Sequence, residues 1–330
     1  MYKEFAACSL ISGPLSDRDI LKCIENEEIV IYPFEEKNLT PLGYNFTPSE
    51  FILSLNNKLL VKIYNNEEEK YCFIEPNDTV LILTREAITV SKRISGTFHS
   101  KVGVVSKGFG HIATTLDPLW QGPLLISLNN PTNKKIKLTI AKISKISNVE
   151  IQKKISYEPV SFVTLMLNKM VSSALTNHDN KSGRFDLLRN TIEVPKARFL
   201  DKLKFWKGNK NHFKNLQEMI SEIGSIDFSE KDSSKSKKDF ENHYQNLMKV
   251  IDFYTDQAHE ASKQIINYKY IYKLIIRVIY VIVLILIMIS AWKLGVQLSN
   301  PAMITFFTLV MTFALKPLFD FLNNKYKEGK

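Results

Sequence analysis

Apolar and polar positions alternate in short runs over the first half of the chain, then change to a spacing of three and four in the second. The runs EFILSL, KLLVKIY, YCFIEP, TVLILT, AITVS, GPLLISLNN and IKLTIAKIS are rich in β-branched residues and bounded by Asn, Pro or Gly. That pattern predicts the strands of an all-β barrel or sandwich. Near the start, LSDRDILKCIENEEIVIYPF reads as a short helix entered by a Ser-Asp cap and followed by a strand. Between about 160 and 228 the pattern is helical and mixed. FVTLMLNKMVSSAL has helical periodicity, and VPKARFLDKLKFW carries a basic face suited to solvent beside anionic lipid. No nucleic-acid-binding motif accompanies those lysines, so no nucleic-acid partner is expected.

The segment Ser229 to Lys238, SEKDSSKSKK, holds no apolar residue and reads as a linker. After it, Phe240, Tyr244, Leu247, Ile251, Tyr254, Ala258, Ala261, Ile265, Tyr268, Tyr272 and Ile275 recur at alternating spacings of four and three. One long helix with a continuous seam is predicted. Two arrangements satisfy that seam: a coiled-coil-like stalk, or an amphipathic helix packed on its own domain. The helix runs into Leu274 to Trp292, LIIRVIYVIVLILIMISAW, where Arg277 is the single charge. Leu294 to Leu315 follows without any charge, its purely apolar part beginning after Pro301. The two runs predict a transmembrane hairpin, with Arg277 snorkelling to the headgroups. A hairpin buried in a soluble domain would keep a polar face, which VIYVIVLILIMIS lacks.

Flanking charge sets the expected orientation. Lys269, Lys273 and Arg277 precede or open the first span; Lys316, Lys325, Lys327 and Lys330 follow the second; the turn offers only Lys293. The positive-inside rule then predicts a multi-pass protein of the inner (cell) membrane, with the N-terminal domain and both termini cytoplasmic. The opening MYKEF lacks the basic and apolar regions of a secretory signal. Charge is uneven: the first 155 residues hold 19 Lys and Arg against 17 Asp and Glu, the remainder 25 against 17. The basic excess therefore sits in the half expected to meet lipid. Three cysteines (Cys8, Cys23 and Cys72) without a CxxC pair exclude a disulfide framework and the common zinc modules. No metal or cofactor is expected.

The predicted organisation is a β-barrel over 1–155, a mixed helical region over 156–228 and a charged linker over 229–238. A coiled-coil-like helical stalk over 239–273, a transmembrane hairpin over 274–315 and a basic cytoplasmic tail over 316–330 complete it.

Two stretches carry a family resemblance. Leu15 to Ile20, Leu-Ser-Asp-Arg-Asp-Ile, with its helix and Ile-Val-Ile-Tyr-Pro-Phe, resembles the opening of dCTP deaminases in the dCTP deaminase/dUTPase family. Gly96 to Asn130, GTFHSKVGVVSKGFGHIATTLDPLWQGPLLISLNN, is similar to that family's central nucleotide-binding region. There a Gly-Arg-Ser-Ser and Arg-Leu-Gly-Leu segment precedes an Ile-Asp-Pro-Gly-Trp-x-Gly turn and a strand. The resemblance covers roughly residues 14–150 and implies a mainly β N-terminal domain, a distorted jelly-roll. It also implies a trimer with nucleotide at the subunit interfaces, and base chemistry by an activated water without zinc. No zinc-deaminase signature is present.

Departures from the family pattern are specific. Asp117, Pro118 and Gly122 match the family's Asp-turn-Gly, but the position of its catalytic Glu, ten residues after that Asp, is Ser127. A hydroxyl has no carboxylate pKa with which to run acid–base chemistry. The phosphate-loop Ser-Ser pair becomes Thr97, Phe98 and His99, leaving Ser100 and Lys101 for phosphate contact without an arginine fork. The family's closing Lys and Gln segment has no match. The resemblance thus marks Ser100, Lys101, Lys107, His111, Asp117, Gly122 and Ser127 as nucleotide-binding candidates and no residue as catalytic. His99 and His111 also fit half-buried strand histidines, and Gly103, Gly108 and Gly110 fit turns.

The expectation is a membrane-anchored nucleotide sensor: a degenerate barrel, homo-oligomeric, binds a linear or cyclic nucleotide and controls a membrane-disrupting hairpin. The architecture resembles the two-transmembrane-plus-barrel effectors of bacterial antiphage signalling. The competing expectation is a membrane-anchored dCTP deaminase or dUTPase-type hydrolase using Asp117, Glu75 or Asp78. A structural barrel that binds no nucleotide is the third.

Overall fold

Ser16 and Asp19 open the first helix with a capping box: Asp19 N donates to Ser16 Oγ at 3.3 Å and Ser16 N donates to the Asp19 carboxylate at 3.2 Å. The computed structural model describes residues 12–111, 114–149, 152–175, 184–191 and 237–297. In chain order, β1 (Gly13–Pro14) and α1 (Asp17–Glu25) precede β2 (Ile29–Tyr32), β3 (Leu39–Thr40), β4 (Gly43–Phe46) and β5 (Pro48–Ser54). Next come β6 (Leu59–Leu60), β7 (Ile63–Asn65), β8 (Glu69–Ile74), β9 (Thr79–Val90) and β10 (Ile94–Ser100). The short helix α2 (Val102–Val105) is followed by β11 (Gly110–His111), β12 (Thr115–Leu116) and β13 (Gln121–Asn129). The last strands are β14 (Ile136–Val149), β15 (Gln152–Pro159) and β16 (Val163–Lys169); α3 (Phe185–Thr191) and α4 (Lys237–Gln297) complete the described elements.

Among the described residues the strands form three antiparallel sheets. The first runs β12-β10-β16-β4-β3 with β1 on β16, the second β11-β13-β9-β5-β6 with β2 on β9, the third β15-β14-β8-β7. Tyr44, Phe46, Ile52, Ile82, Ile88, Phe98, Ile126, Leu165 and their neighbours close into one core. Two networks seal its polar edges. Asn130, fully buried, donates from Nδ2 to the carbonyls of Ile74, Glu75 and Lys134 at 2.7–3.0 Å. Buried Asp78 accepts from Ser54 Oγ at 2.6 Å and Asn56 N at 3.1 Å.

The chain divides into two units, Met1–Lys263 and Gln264–Lys330. Within the first, the second sheet is covered on both faces. Ile52 of β5 lies in the core, so Phe51 and Leu53 point the other way, and both are fully buried. Leu83 and Ala87 of β9 are equally buried outside the core cluster. The start of α4 accounts for this cover: Tyr244, Leu247, Met248, Ile251, Thr255, Ala258 and Ala261 form its buried face. Tyr244 OH hydrogen-bonds Thr89 Oγ1, and His259 Nε2 lies 2.8 Å from the Glu50 carbonyl. Of the two arrangements open to the seam, the first unit therefore contains the amphipathic helix packed on its own domain.

In the second unit α4 includes Tyr270–Ile287, with mean hydropathy 2.4 and no part buried. It is the one helix among the described residues long and apolar enough to cross a membrane. The predicted second span beyond Gln297, the basic tail, the linker up to Ser236 and most of the mixed region lie outside the described residues.

Two segments differ from the sequence expectation. Val163–Lys169, predicted helical, is strand β16, paired with β10 and β4 inside the barrel. Its buried residues Val163, Leu165 and Leu167 alternate, but Phe162, Met166 and Met170 add apolar positions that also fit a helical period. The TVLILT and AITVS runs are one strand, β9, which continues through Arg85-Glu86 as a bulge: neither residue is paired in its ladders, and the register with β13 shifts between Pro123 and Leu125.

Candidate functional site

The resemblance-derived residues fall on two sheets joined by the α2 loop. Ser100 ends β10 opposite Val163, and Lys101 follows it as the N-cap residue of α2. Lys101 is half-buried, and its Nζ donates to Ser161 Oγ at 2.5 Å. Burial holds that ammonium below its ordinary pKa. β12 pairs with Gly96 and Thr97 of β10, placing exposed Asp117 just past the same sheet edge. Thr115 Oγ1 donates to Asp117 Oδ1 at 3.4 Å, and among the described residues no ion pair joins Asp117 to Lys101. On the second sheet, β11 brings His111 opposite Leu128, next to Ser127 in β13. Ser127 itself pairs with Leu81 and alternates with core residues Ile126 and Leu128, so it lies on the face turned from the core.

Lys107 is exposed after α2, and Val104 and Phe109 anchor that loop by burial. Gly108 turns the chain at φ +97°, a conformation glycine takes without a Cβ penalty. Gly103, by contrast, faces open space with an ordinary φ. His99 is exposed rather than half-buried, with Nε2 2.9 Å from Thr97 Oγ1. Phe98, which replaces one of the family's loop serines, is a core residue. Its side chain is therefore not available to a ligand.

The Asp117–Gly122 turn is stiff. Leu119 has φ +65° and Gly122 φ +115°, and buried Trp120 donates Nε1 to the Gly122 carbonyl at 3.1 Å. Gly122→Ala is expected to cost about 1–3 kcal/mol, since a Cβ at that φ is strained. Chemical denaturation against a Gly108→Ala companion checks this. A neutral Gly122→Ala would mean that the turn relaxes.

Sequence reading missed Ser161, the partner of Lys101, and Glu86. No local pattern marks the first. Glu86 is fully buried on β9, accepting from Thr47 N at 2.8 Å and Thr47 Oγ1 at 2.7 Å. Burial pushes its carboxyl up to about 7, opposed by the Thr47 bonds. The two other carboxylates weighed for catalysis are engaged elsewhere. Asp78 is locked by Ser54, and Glu75 pairs with Lys135 at 3.1 Å. Among the described residues no cluster of His, Cys, Asp or Glu could hold a metal.

With this geometry in place, residues 14–146 match the family model described as dCTP deaminase-like. The dCTP deaminase of Pyrococcus furiosus is 30% identical over 114 residues, 34% of this chain and 69% of that protein. The dUMP-forming dCTP deaminase of Methanopyrus kandleri is 30% identical over 148 residues, covering 38% and 74%. Among solved structures, the deoxycytidine triphosphate deaminase of Agrobacterium tumefaciens gives a TM-score of 0.33 at 8% identity, over 48% of this chain and 49% of that one. The dUTPase of EIAV gives 0.24 at 16% identity, over 40% and 98%. Through its β domain, the chain belongs to the dCTP deaminase-like family.

Proposed function

We propose that this protein is a nucleotide-responsive membrane effector whose barrel has kept the family's ligand loop and lost its deaminase chemistry. The observation that carries this reading is Ser127: the position of the family's general acid–base group holds a hydroxyl on a β13 face without a carboxylate. Ser100, Lys101, Lys107, His111, Asp117 and Gly122 form the binding loop, and Lys101 supplies the phosphate-directed ammonium. The active form is a homo-oligomer, a trimer in keeping with the family resemblance, with a linear or cyclic nucleotide at the subunit interfaces. The apolar stretch of α4 forms the first arm of a hairpin in the inner membrane, its barrel cytoplasmic. Ligand shifts the barrel between two packings, and tenfold control needs only about 1.4 kcal/mol of differential binding. Antiphage defence is the role that this architecture supports.

A second reading, a membrane-anchored dCTP deaminase or dUTPase-type hydrolase, is favoured by the names of the relatives and by exposed Asp117 in the matched turn. Incubating the full chain in nanodiscs with dCTP and dUTP, followed by thermal shift and mass spectrometry, separates the two. Stabilisation by unchanged nucleotide, lost in Lys101→Ala, is the expected result. Conversion of dCTP to dUTP or dUMP would establish the enzyme.

A further inference from the structure

Besides the loop, the first unit holds a cleft of about 650 Å³ between the barrel and the start of α4. That volume lies in the range of small-molecule sites. Its two walls differ in charge balance, Glu50 offsetting one cation on the barrel wall and Lys249 one carboxylate on the helix wall. The barrel wall presents Lys70 of β8 and Arg85 of β9; the helix wall presents Asp252 and Asp256, one turn apart, with Lys249 beside them. Lys70 donates to Glu50 at 2.7 Å and lies 4.9 Å from the ring centroid of Tyr157, which also lines the cleft. Arg85 gives Nη1 to Glu35 at 3.1 Å, leaving most of its fork unused. Asp252, Asp256 and Lys249 enter no ion pair among the described residues, although Arg85 and Glu50 are near enough to bias Asp252. Burial, and then the neighbouring Asp256, hold the Asp252 carboxyl above its ordinary pKa.

The docked face of α4 is buried without a break from Tyr244 through Ile251 and Thr255 to Ala261, and the cleft runs along its flank, edged by Gln245, Lys249, Asp252 and Asp256. Carboxylates facing cations across an open space fit a molecule that is itself dipolar, with N–H donors at one end and an anionic group at the other. Tyr32, Tyr157 and Pro33 add flat apolar surface of the kind that receives a ring. We infer that this cleft is a second ligand site, taking a nucleotide whose base carries an exocyclic amino group. The amino group donates to Asp252 and Asp256, and the phosphate meets Arg85, Lys70 and Lys249. The site does not depend on the α2 loop binding anything. Its ligand bridges barrel and helix, so occupancy tightens the docking of α4.

The test uses the full chain in nanodiscs and thermal shift with CMP and AMP, their carbonyl counterparts UMP and IMP, and the nucleosides cytidine and adenosine. CMP or AMP is expected to raise the melting temperature. The carbonyl counterpart and the nucleoside should each bind at least about tenfold more weakly, since each leaves a polar wall unpaired. Asp256→Asn combined with Lys249→Gln should erase the shift. Both side chains are exposed and enter no ion pair among the described residues, so folding is not at stake. No shift from any probe at about 1 mM overturns the inference. So does a shift that survives the double substitution. If that surviving shift is lost in Lys101→Ala, the nucleotide belongs to the loop, and the proposed function stands while this inference falls.

Discussion

Glu86→Gln is expected to stabilise the protein at pH 8 by roughly 3 kcal/mol and to flatten its stability between pH 4.5 and 7. The wild-type carboxyl titrates near 7 in the fold, against an ordinary value of 4.5. Below 4.5 the group is protonated whether the chain is folded or not, and burial costs nothing extra. As pH rises through the window, the unfolded chain releases its proton while the native one holds it, so stability falls. Above about 7 both states are ionised and the whole cost is present. Glutamine imitates the protonated acid: its oxygen can accept from Thr47 N as the carboxyl does now, and its amide can donate to Thr47 Oγ1, whose hydroxyl turns from donor to acceptor. Glu86→Ala lacks both and is expected to destabilise. Urea denaturation across that pH range decides the matter, and an unchanged slope in Glu86→Gln would show that another group governs it.

The second large effect concerns the helix. Ile251 is fully buried midway along the docked face of α4, while Phe253, two residues on, is 59% exposed. Ile251→Asp puts a charge into a closed apolar interface, at a cost of several kcal/mol unless the helix leaves. Leaving is the lower-energy path because α4 is joined to the barrel by side chains and not by a strand ladder. Amide exchange over residues 244–262 should accelerate by about a hundredfold or more, with the β-strands still protected. Phe253→Asp is the matched control and should change little. Unaltered exchange in Ile251→Asp would contradict the docking of this helix.

Much of this architecture is visible in local pattern. Ser16 and its Asp19 partner give away the first helix, and the alternating runs give most strands. The three-four seam gives α4 as far as Ile275, and the apolar run after it gives the remainder. The seam does not say what covers it, because Tyr244 and Ile251 would be equally apolar facing a second helix or a sheet. Phe51 and Leu53 carry the missing signal, since Ile52 between them is also apolar: a run without alternation belongs to a sheet buried on both faces. The strand at Val163–Lys169 is hidden by Phe162, Met166 and Met170, which add a helical spacing of four, and the unpaired Arg85-Glu86 bulge disguises one strand as two.

The site divides in the same way. Motif order around Gly96 to Asn130 marks the loop and Ser127 as candidates, because those residues are contiguous in sequence. The bond from Lys101 to Ser161 spans sixty residues, and the cleft gathers six strands and a helix. Such groupings follow from sheet order, which short motifs do not encode. Glu86 is the sharpest case: an acid after an arginine in a polar dipeptide reads as a solvated turn, yet the fold buries it against Thr47.

Nucleotide occupancy of the barrel is proposed to govern a membrane event. Dye release from phospholipid vesicles holding the full chain, with and without dCTP, dUTP, AMP or CMP, tests it most directly. At least one nucleotide is expected to change the release rate by about tenfold or more, in either direction, while remaining chemically intact. Release that no nucleotide alters would contradict it, as would a vesicle-bound protein that releases no dye in any state.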